Sequence, residues 1–421
     1  MTLIKTSLLT AISTIVKILS GFVINKFMAI YVGPSGIAIV GQLQSFMTMI
    51  TTLSNGAISQ GVVKYTAEYT SIEKKKKIFS SSLAISLISS FFVSLILIVF
   101  SQYWSELILK NIKYSSIFIV FGVTVVLFAL NAILISILNG QKEIKKYIIV
   151  NIAGSIFSLF LTSFLIVELG LIGALYALVI NQSIVFFVTL VFVIKSKWFK
   201  LRYFTCGIDK DSFFKLGKFS LMTVVTILTV PVSHLIIRNY IGENLGWDEA
   251  GYWQSIWYIS IIYLMIITSS LNVYYLPKLS EIQDKSKLKQ EILNGYKVIM
   301  PIVTILAFGI FIFRDLVVKV AFTDQFMPML ELFKWQLIGD VIKIASWLLG
   351  MLMLAKAMTK AFIVTEVVFS ITFVVLSILF IDSFGLIGIT YAFSLNYFIY
   401  LVTMIFIFRR FKVRPNFRTA T

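Results

Sequence analysis

Five of the 37 basic residues, Lys17, Lys26, Lys64, Arg238 and Lys343, fall within or at the ends of long apolar stretches rather than in the polar segments between them. A charge at mid-membrane costs about 2.5–3.5 kcal/mol on insertion scales, so these side chains are expected to face a cleft or a partner rather than acyl chains. Acidic residues in comparable places are fewer: Glu68 four residues after Lys64, Asp340 three before Lys343, Glu366, and Glu168 near the end of a stretch. An excess of cations in a cleft would attract an anionic head group such as phosphate or pyrophosphate. Lysine would act by point charge and arginine by forked hydrogen bonds. Asp340 and Glu366 are the candidates for exchanging a coupling proton or sodium ion.

Most of these residues also have a purely structural reading. Lys26 and Arg238 lie near the outer ends of their stretches, where a long side chain can snorkel to the interface. Lys64 and Glu68 have the i, i+4 spacing of a mutually neutralising pair on a helix end. Asp340 and Lys343 could hold one helix in place, and His234, the single histidine, reads as a hydrogen-bonded interior residue. Lys17 resists such a reading, because it sits mid-stretch with no acidic residue near it in sequence.

Other chemistries find no support in the sequence. There is no G-x-x-x-x-G-K-[ST] phosphate loop and no H-E-x-x-H, and one histidine cannot supply a metal site. Cys206 is the single cysteine, which excludes a disulfide within the chain and a cysteine-based metal cluster. A membrane glycosyltransferase, polymerase or ligase would need catalytic groups in sizeable external loops. The longest such loop, about 314–334, carries only Asp315, Asp324 and Glu331 as acids.

The elements that must position these residues are membrane spans. Of 421 residues, 59% are hydrophobic and 13% charged, against about a half and a quarter in ordinary soluble chains. Hydropathy predicts an all-α polytopic protein with twelve spans near 6–30, 36–58, 78–103, 115–138, 147–168, 171–194, 219–238, 250–275, 298–313, 335–355, 361–381 and 386–408. The first is read as a retained span and not a signal peptide, since Lys17 interrupts it and no small-residue cleavage site follows. Of the 32 loop lysines and arginines, 27 fall on one side and five, Lys110, Lys113, Arg314, Lys319 and Lys334, on the other. That bias puts both termini in the cytoplasm of an inner-membrane-type protein. It also accounts for the net charge of +18 without nucleic acid, with the run Lys74 to Lys77 read as solvated charge beside anionic lipid.

The chain repeats itself. "GLIGALYALVIN" (Gly170–Asn181) returns 215 positions later as "GLIGITYAFSLN" (Gly385–Asn396), and "KYIIVNIAGSI" (Lys146–Ile156) returns as "AFIVTEVVFSI" (Ala361–Ile371). At an offset of 210, "GIAIVGQLQS" and "GWDEAGYWQS" share G-x4-G-x2-Q-S. The expected architecture is two pseudo-symmetric six-helix bundles, 1–205 and 206–421, related by an axis along the membrane normal with a central cleft between them. The repeated Gly-x-x-Gly is read as packing and turn geometry before ligand contact.

"VKYTAEY" (Val63–Tyr69), "WDEAGYWQ" (Trp247–Gln254), "YYLPKLSEI" (Tyr274–Ile282) and "WQLIGDVIKI" (Trp335–Ile344) followed by "AKA" (Ala355–Ala357) resemble the bacterial lipid-linked oligosaccharide flippases, the O-antigen and enterobacterial common antigen (lipid III) translocases. The likeness runs in order from "TSLLTAISTIVKI" (Thr6–Ile18) to the last span. It implies the multidrug/oligosaccharidyl-lipid/polysaccharide exporter fold. The implied substrate is an undecaprenyl-pyrophosphate-linked oligosaccharide, turned from the cytoplasmic to the periplasmic leaflet by alternating access. The head group would be held by Lys17, Lys64 and Arg238, with Lys26, Asp340 and Lys343 as further candidates. Polysaccharide polymerase and chain-length machinery would be partners. His234 and Glu366 match none of these motifs. A multidrug exporter of the same architecture, and a membrane enzyme or scaffold of polysaccharide assembly, are the competing readings.

Overall fold

The computed structural model describes residues 3–196, 198–207, 209–282, 284–356 and 358–410, and among them there is helix, turn and loop but no strand. Lys197, Ala357 and the basic residues from Lys412 onward lie outside the described residues, as do the side chains of Lys5, Lys218, Lys285 and Arg410. Helix is what an apolar chain must adopt in hydrocarbon, because each N–H and C=O then finds its partner within the segment.

The order is α1 (Leu3–Tyr31), α2 (Gly33–Ser54), α3 (Ser59–Glu68), α4 (Ile72–Val99), α5 (Ser101–Leu109), α6 (Ser115–Gly140), α7 (Ile144–Ile194), α8 (Lys210–Asn244), α9 (Trp247–Ser270), α10 (Leu276–Glu281), α11 (Lys285–Ile312), α12 (Arg314–Ala321), α13 (Phe333–Ala355), α14 (Thr359–Phe384) and α15 (Gly388–Arg410). Nine continuous helical stretches among the described residues are long and apolar enough to cross a membrane. Two of them, 144–194 and 359–409, run to 51 residues and hold two spans each. The 24-residue α9 supplies the remaining predicted span. The chain is a multi-pass membrane protein with the twelve long helices expected.

Several boundaries differ from expectation, the ninth span among them, which starts at Lys285 and not near 298. The second span stops at Ser54 because Gly56 (φ 69°) and Ala57 (φ 56°) turn the chain, and α3 then forms as a separate short helix. The third ends at Val99, and α5 follows as its own element up to Lys110, which is left-handed at φ 54°. The seventh starts earlier, at Lys210, and carries Pro231 inside it. The chain divides into two compact units, Met1–Leu235 and Ile236–Thr421. The first half of α8 is tied to the first unit, where Ser220 Oγ donates to the Gly56 carbonyl at 2.6 Å and Lys215 Nζ to the Tyr69 hydroxyl at 3.2 Å.

The repeat is a repeat of geometry. Gly170 (φ 57°, ψ −131°) breaks α7 between its two spans, and Gly385 (φ 66°, ψ −152°) separates α14 from α15 in the same backbone region, one that side chains rarely adopt. Three residues later the second glycine of each motif meets backbone. A Cβ on Gly173 would stand 1.8 Å from the Leu165 carbonyl oxygen, and one on Gly388 would stand 2.0 Å from that of Phe380, itself 215 positions on. The reading of Gly-x-x-Gly as turn and close packing therefore holds in both copies.

Candidate functional site

The first unit contains a cavity of about 460 Å³ bounded by α1, one residue of α6 and both spans of α7. Its wall includes Ser13, Thr14, Lys17 and Ser20 from α1, and Asn151, Ser155, Ser158, Asn181 and Gln182 from α7. Lys17 is exposed into it, is its one charged lining residue, and pairs with no carboxylate among the described residues. The amides are fixed by their neighbours. Asn131 donates to Gln182 Oε1 at 3.2 Å while Thr189 donates to Asn131 Oδ1 at 2.6 Å. Asn181 Nδ2 donates to Ser158 Oγ at 2.6 Å, and Asn151 Nδ2 to the Tyr147 carbonyl at 2.8 Å. These bonds fix how the amides are turned, and they leave Asn181 Oδ1 buried with no hydrogen-bond partner among the described residues.

The other predicted cations are not gathered there. Lys26 is half-buried on α1, nine residues and so about 13 Å of helix from Lys17, and does not line the cavity. Lys64 is exposed on α3, outside the membrane-spanning stretches, with its ammonium 5.2 Å from the Tyr65 ring. His234 is buried, in keeping with an interior histidine. Arg238 does not snorkel: it is 1% exposed, its guanidinium donates to Gln254 Oε1 at 2.6 Å and lies 5.6 Å from the Trp253 ring. Gln254 is the glutamine of the repeated G-x4-G-x2-Q-S, so this residue of the motif clamps α8 to α9.

In the second unit Asp340 is fully buried on α13. It accepts from Ser260 Oγ at 2.6 Å, from the Tyr263 hydroxyl at 3.0 Å and, at the limit of a hydrogen bond, from Gln336 Nε2 at 3.5 Å. Gln336 Oε1 is buried with no hydrogen-bond partner among the described residues. No ion pair joins Asp340 to Lys343 among those residues. Instead the Lys343 ammonium stands against three rings, Trp257 at 4.8 Å, Tyr397 at 5.6 Å and Phe393 at 5.9 Å. Such cation–π contacts contribute roughly 0.5–2 kcal/mol each and hold the charge without a carboxylate. Glu366 is half-buried on α14. Sequence reasoning missed Ser260, Tyr263 and Gln336, whose role comes from contacts between helices distant in sequence. It also missed Asn151, Asn181 and Gln182; of these only Asn181 recurs in the repeat, as Asn396 at the offset of 215, while Asn151 faces Glu366 and Gln182 faces Tyr397.

The basic run Lys74 to Lys77 is more than solvated charge. Lys75 donates to Gln141 Oε1 at 3.0 Å, Lys77 pairs with Asp209 at 3.1 Å, and Lys74 and Lys76 lie 5.7 and 5.0 Å from the rings of Tyr69 and Tyr203. The Asp209 carboxyl is held below its usual range, first by the Ser212 backbone N–H, then by the Ser212 hydroxyl and Lys77. The Lys215 ammonium is pushed above the usual lysine range by its hydrogen bonds to Asp211 and Tyr69.

Residues 39–331 match the model of a family described as polysaccharide biosynthesis protein. The chain belongs to that family. Among relatives of this polysaccharide biosynthesis protein are the Lipid III flippases of Escherichia coli (strain K12) and Shigella flexneri, each 29% identical over 402 residues that cover 95% of this chain and 96% of theirs. Among solved structures, the inward-facing conformation of a multidrug resistance MATE family transporter of the MOP superfamily superposes with a TM-score of 0.80 at 14% identity, over 93% of this chain and 94% of that one. The lipid II flippase MurJ, in an inward closed conformation, gives 0.73 at 18% identity over 97% and 88%. At such identities these two structures share a fold with this family member, and the likeness carries no more than that.

Proposed function

We infer that this protein is a flippase for a polyprenyl-pyrophosphate-linked oligosaccharide and not an enzyme. It would move the head group from the cytoplasmic to the periplasmic leaflet of a bacterial inner membrane, with both termini cytoplasmic. The observation that carries the reading is the end-to-end likeness to Lipid III flippases, over 95% of one chain and 96% of the other. The geometry agrees: a polar cavity whose one charged residue is Lys17 favours an anionic, hydroxyl-rich head group and disfavours the organic cations of a multidrug exporter. The polysaccharide polymerase and chain-length machinery would then act on the delivered product.

The motive force is assigned to Asp340. Its carboxylate, the Ser260 and Tyr263 hydroxyls and the orphaned Gln336 Oε1 form an oxygen-rich group that a proton or a sodium ion would complete. Protonation or ion binding would change how α9 and α13 hold each other, which is how a coupling ion could bias two conformations. The test is reconstitution of the purified chain in liposomes carrying a labelled polyprenyl-pyrophosphate oligosaccharide, with the leaflet read by a membrane-impermeant glycosidase. Protein-dependent exposure of the glycan is expected, stimulated by a proton or sodium gradient in the wild type and insensitive to both gradients in Asp340→Asn. Transport of an organic cation with no movement of the lipid would establish the multidrug reading instead.

A further inference from the structure

We propose that α5 and α12 are a matched pair of membrane-surface helices, each laying a three-residue apolar face into the boundary between phospholipid head groups and acyl chains where the preceding span ends. The pairing is a second expression of the duplication. Phe100 (φ −101°, ψ 25°) bends the chain from α4 into α5, and Phe313 (φ −94°, ψ 17°) bends it in the same way from α11 into α12. Their offset is 213, between the 210 and 215 that relate the motifs on either side. At that offset the two short helices match face by face. Ser105, Ile108 and Leu109 are buried, and so are Val318, Ala321 and Phe322. Gln102 and Glu106 are exposed, as are Asp315 and Lys319. A third face is apolar in both and each of its residues is 45% to 61% exposed: Phe100, Tyr103 and Leu107 in one, Phe313, Leu316 and Val320 in the other.

Isolated exposed apolar residues are ordinary, but positions i, i+3 and i+7 form one stripe of a helix. A stripe kept apart from the charged face in both copies is the pattern of a helix lying in an interface. Lipid is the occupant because the stripes continue lipid-facing surface. Leu95, Ile96 and Val99 on α4, and Ile305, Phe308 and Ile312 on α11, are exposed apolar residues of membrane-crossing helices that lead into Phe100 and Phe313. Span length sets the depth. The 22 residues between Lys77 and Phe100 make about 33 Å of helix, enough for a hydrocarbon core of ~30 Å, so α5 begins at the boundary. Only 16 residues, about 24 Å, separate Lys297 from Arg314, which draws α12 to the boundary or below it. Tyr103 and Trp104 are the aromatics favoured at that level, and Lys110 and Lys319 are long enough to reach head-group phosphates from it. A unit held in this way cannot tilt without lifting apolar surface into water, so each helix fixes the depth at which its unit rides in the bilayer.

This requires only that the chain crosses a membrane, whatever it transports, so it can fail while the flippase reading stands. In a Cys206→Ser background, nitroxide labels are placed one at a time at Leu107→Cys and Leu316→Cys on the apolar faces and at Gln102→Cys and Asp315→Cys on the polar ones. The full chain is held in nanodiscs of phosphatidylethanolamine with a minority of phosphatidylglycerol. All four side chains are exposed, so the labels leave the buried face of each helix in place. Collisional relaxation by oxygen, which concentrates among acyl chains, is compared with relaxation by a water-soluble nickel chelate. The oxygen-to-nickel ratio is expected to be roughly fivefold higher at 107 and 316 than at 102 and 315. Equal ratios on the two faces of either helix would place that helix in water and overturn the pairing. Shielding of the apolar-face labels from both reagents would overturn it as well, and spin–spin broadening at full labelling would then identify a second copy of the chain as the cover.

Discussion

The same positions of the duplicated sequence line a cavity in one unit and carry packed aromatic rings in the other. Gly154, Ser158, Gln182 and Val185 in α7 correspond, at an offset of 215, to Phe369, Phe373, Tyr397 and Tyr400 in α14 and α15. In the first unit Gly154 approaches Val185, a Cβ there standing 3.3 Å from a valine methyl, and polar space remains beside them. In the second unit the matching pair, Phe369 and Tyr400, meet edge to face with ring centroids 4.8 Å apart, and Phe373 and Tyr400 are both buried. The backbone frame is shared, down to Gly170 with Gly385 and Gly173 with Gly388, while side-chain volume decides what each frame encloses. The lysines follow suit. Lys17 faces open polar space, whereas Lys343 is caged by Trp257, Phe393 and Tyr397. Duplication thus supplied one bundle with a polar-lined space and one whose buried charges are tied into its own packing.

The largest expected effect comes from making the first unit resemble the second. Ser158→Phe with Gln182→Tyr inserts the aromatics of the matching positions and fills the cavity that Lys17 lines. Transport of the lipid-linked glycan in liposomes is expected to fall at least 100-fold, about 2.7 kcal/mol on the transport barrier. The double variant should still purify as a monodisperse helical protein, because the same frame accepts those rings in the second unit. Transport at near wild-type rate would mean that the hollow is incidental, and the contrast between units would lose its functional content.

A smaller effect tests what the units share. Gly173→Ala and Gly388→Ala each drive a methyl against a carbonyl oxygen, at 1.8 and 2.0 Å before relaxation. Overpacking of this kind costs about 1–3 kcal/mol, and the two variants should lose similar unfolding free energy in detergent titrations. Loss in one variant alone would show that the repeated motif does different work in the two copies.

How much of this was legible before the structure follows from the length scale of each signal. Spans and duplication are read from patterns tens of residues long, and α1, α6, α13 and the break at Gly170 fall where hydropathy and Gly-x-x-Gly put them. Lys17 was legible because a lone mid-span lysine is costly wherever it points except into polar space. Arg238 misled because position near a span end resembles snorkelling, and only the contact with Gln254 on the next helix shows it buried. Asp340 and Lys343, three residues apart, looked like a pair. In the fold their partners come from α9 and α15, which no local pattern brings together. Asn151, Asn181 and Gln182 were hidden as ordinary polar residues of long helices until their amides were seen fixed around one space.

The smallest expected difference concerns two capping aspartates, Asp209 before α8 and Asp284 before α11. Asp209 Oδ2 accepts the Ser212 N–H at 2.9 Å, and Asp284 Oδ1 accepts the Lys287 N–H at 2.8 Å, so each satisfies a donor in the first turn of its helix. Substitution by alanine should cost about 1 kcal/mol in either place, read as increased hydrogen exchange confined to the first turn of that helix. Asp209 has more to lose. Its own N–H donates to Ser81 Oγ at 3.0 Å and its other oxygen meets Lys77, an exposed pair contributing about 0–1 kcal/mol. Because the folded carboxyl titrates below its unfolded value near 3.9, the ionised form is the one favoured by folding. Its contribution is therefore complete above about pH 5, constant through neutrality, and lost only as pH falls below the unfolded value and through the folded one. Exchange at 209–213 in the wild type should be flat, after correction for intrinsic rates, from pH 5 to 8 and should rise below about pH 4, whereas Asp209→Asn should show no such rise. A rise beginning near pH 6 would point to a histidine or a buried carboxyl elsewhere as the group that loosens this end of the first unit.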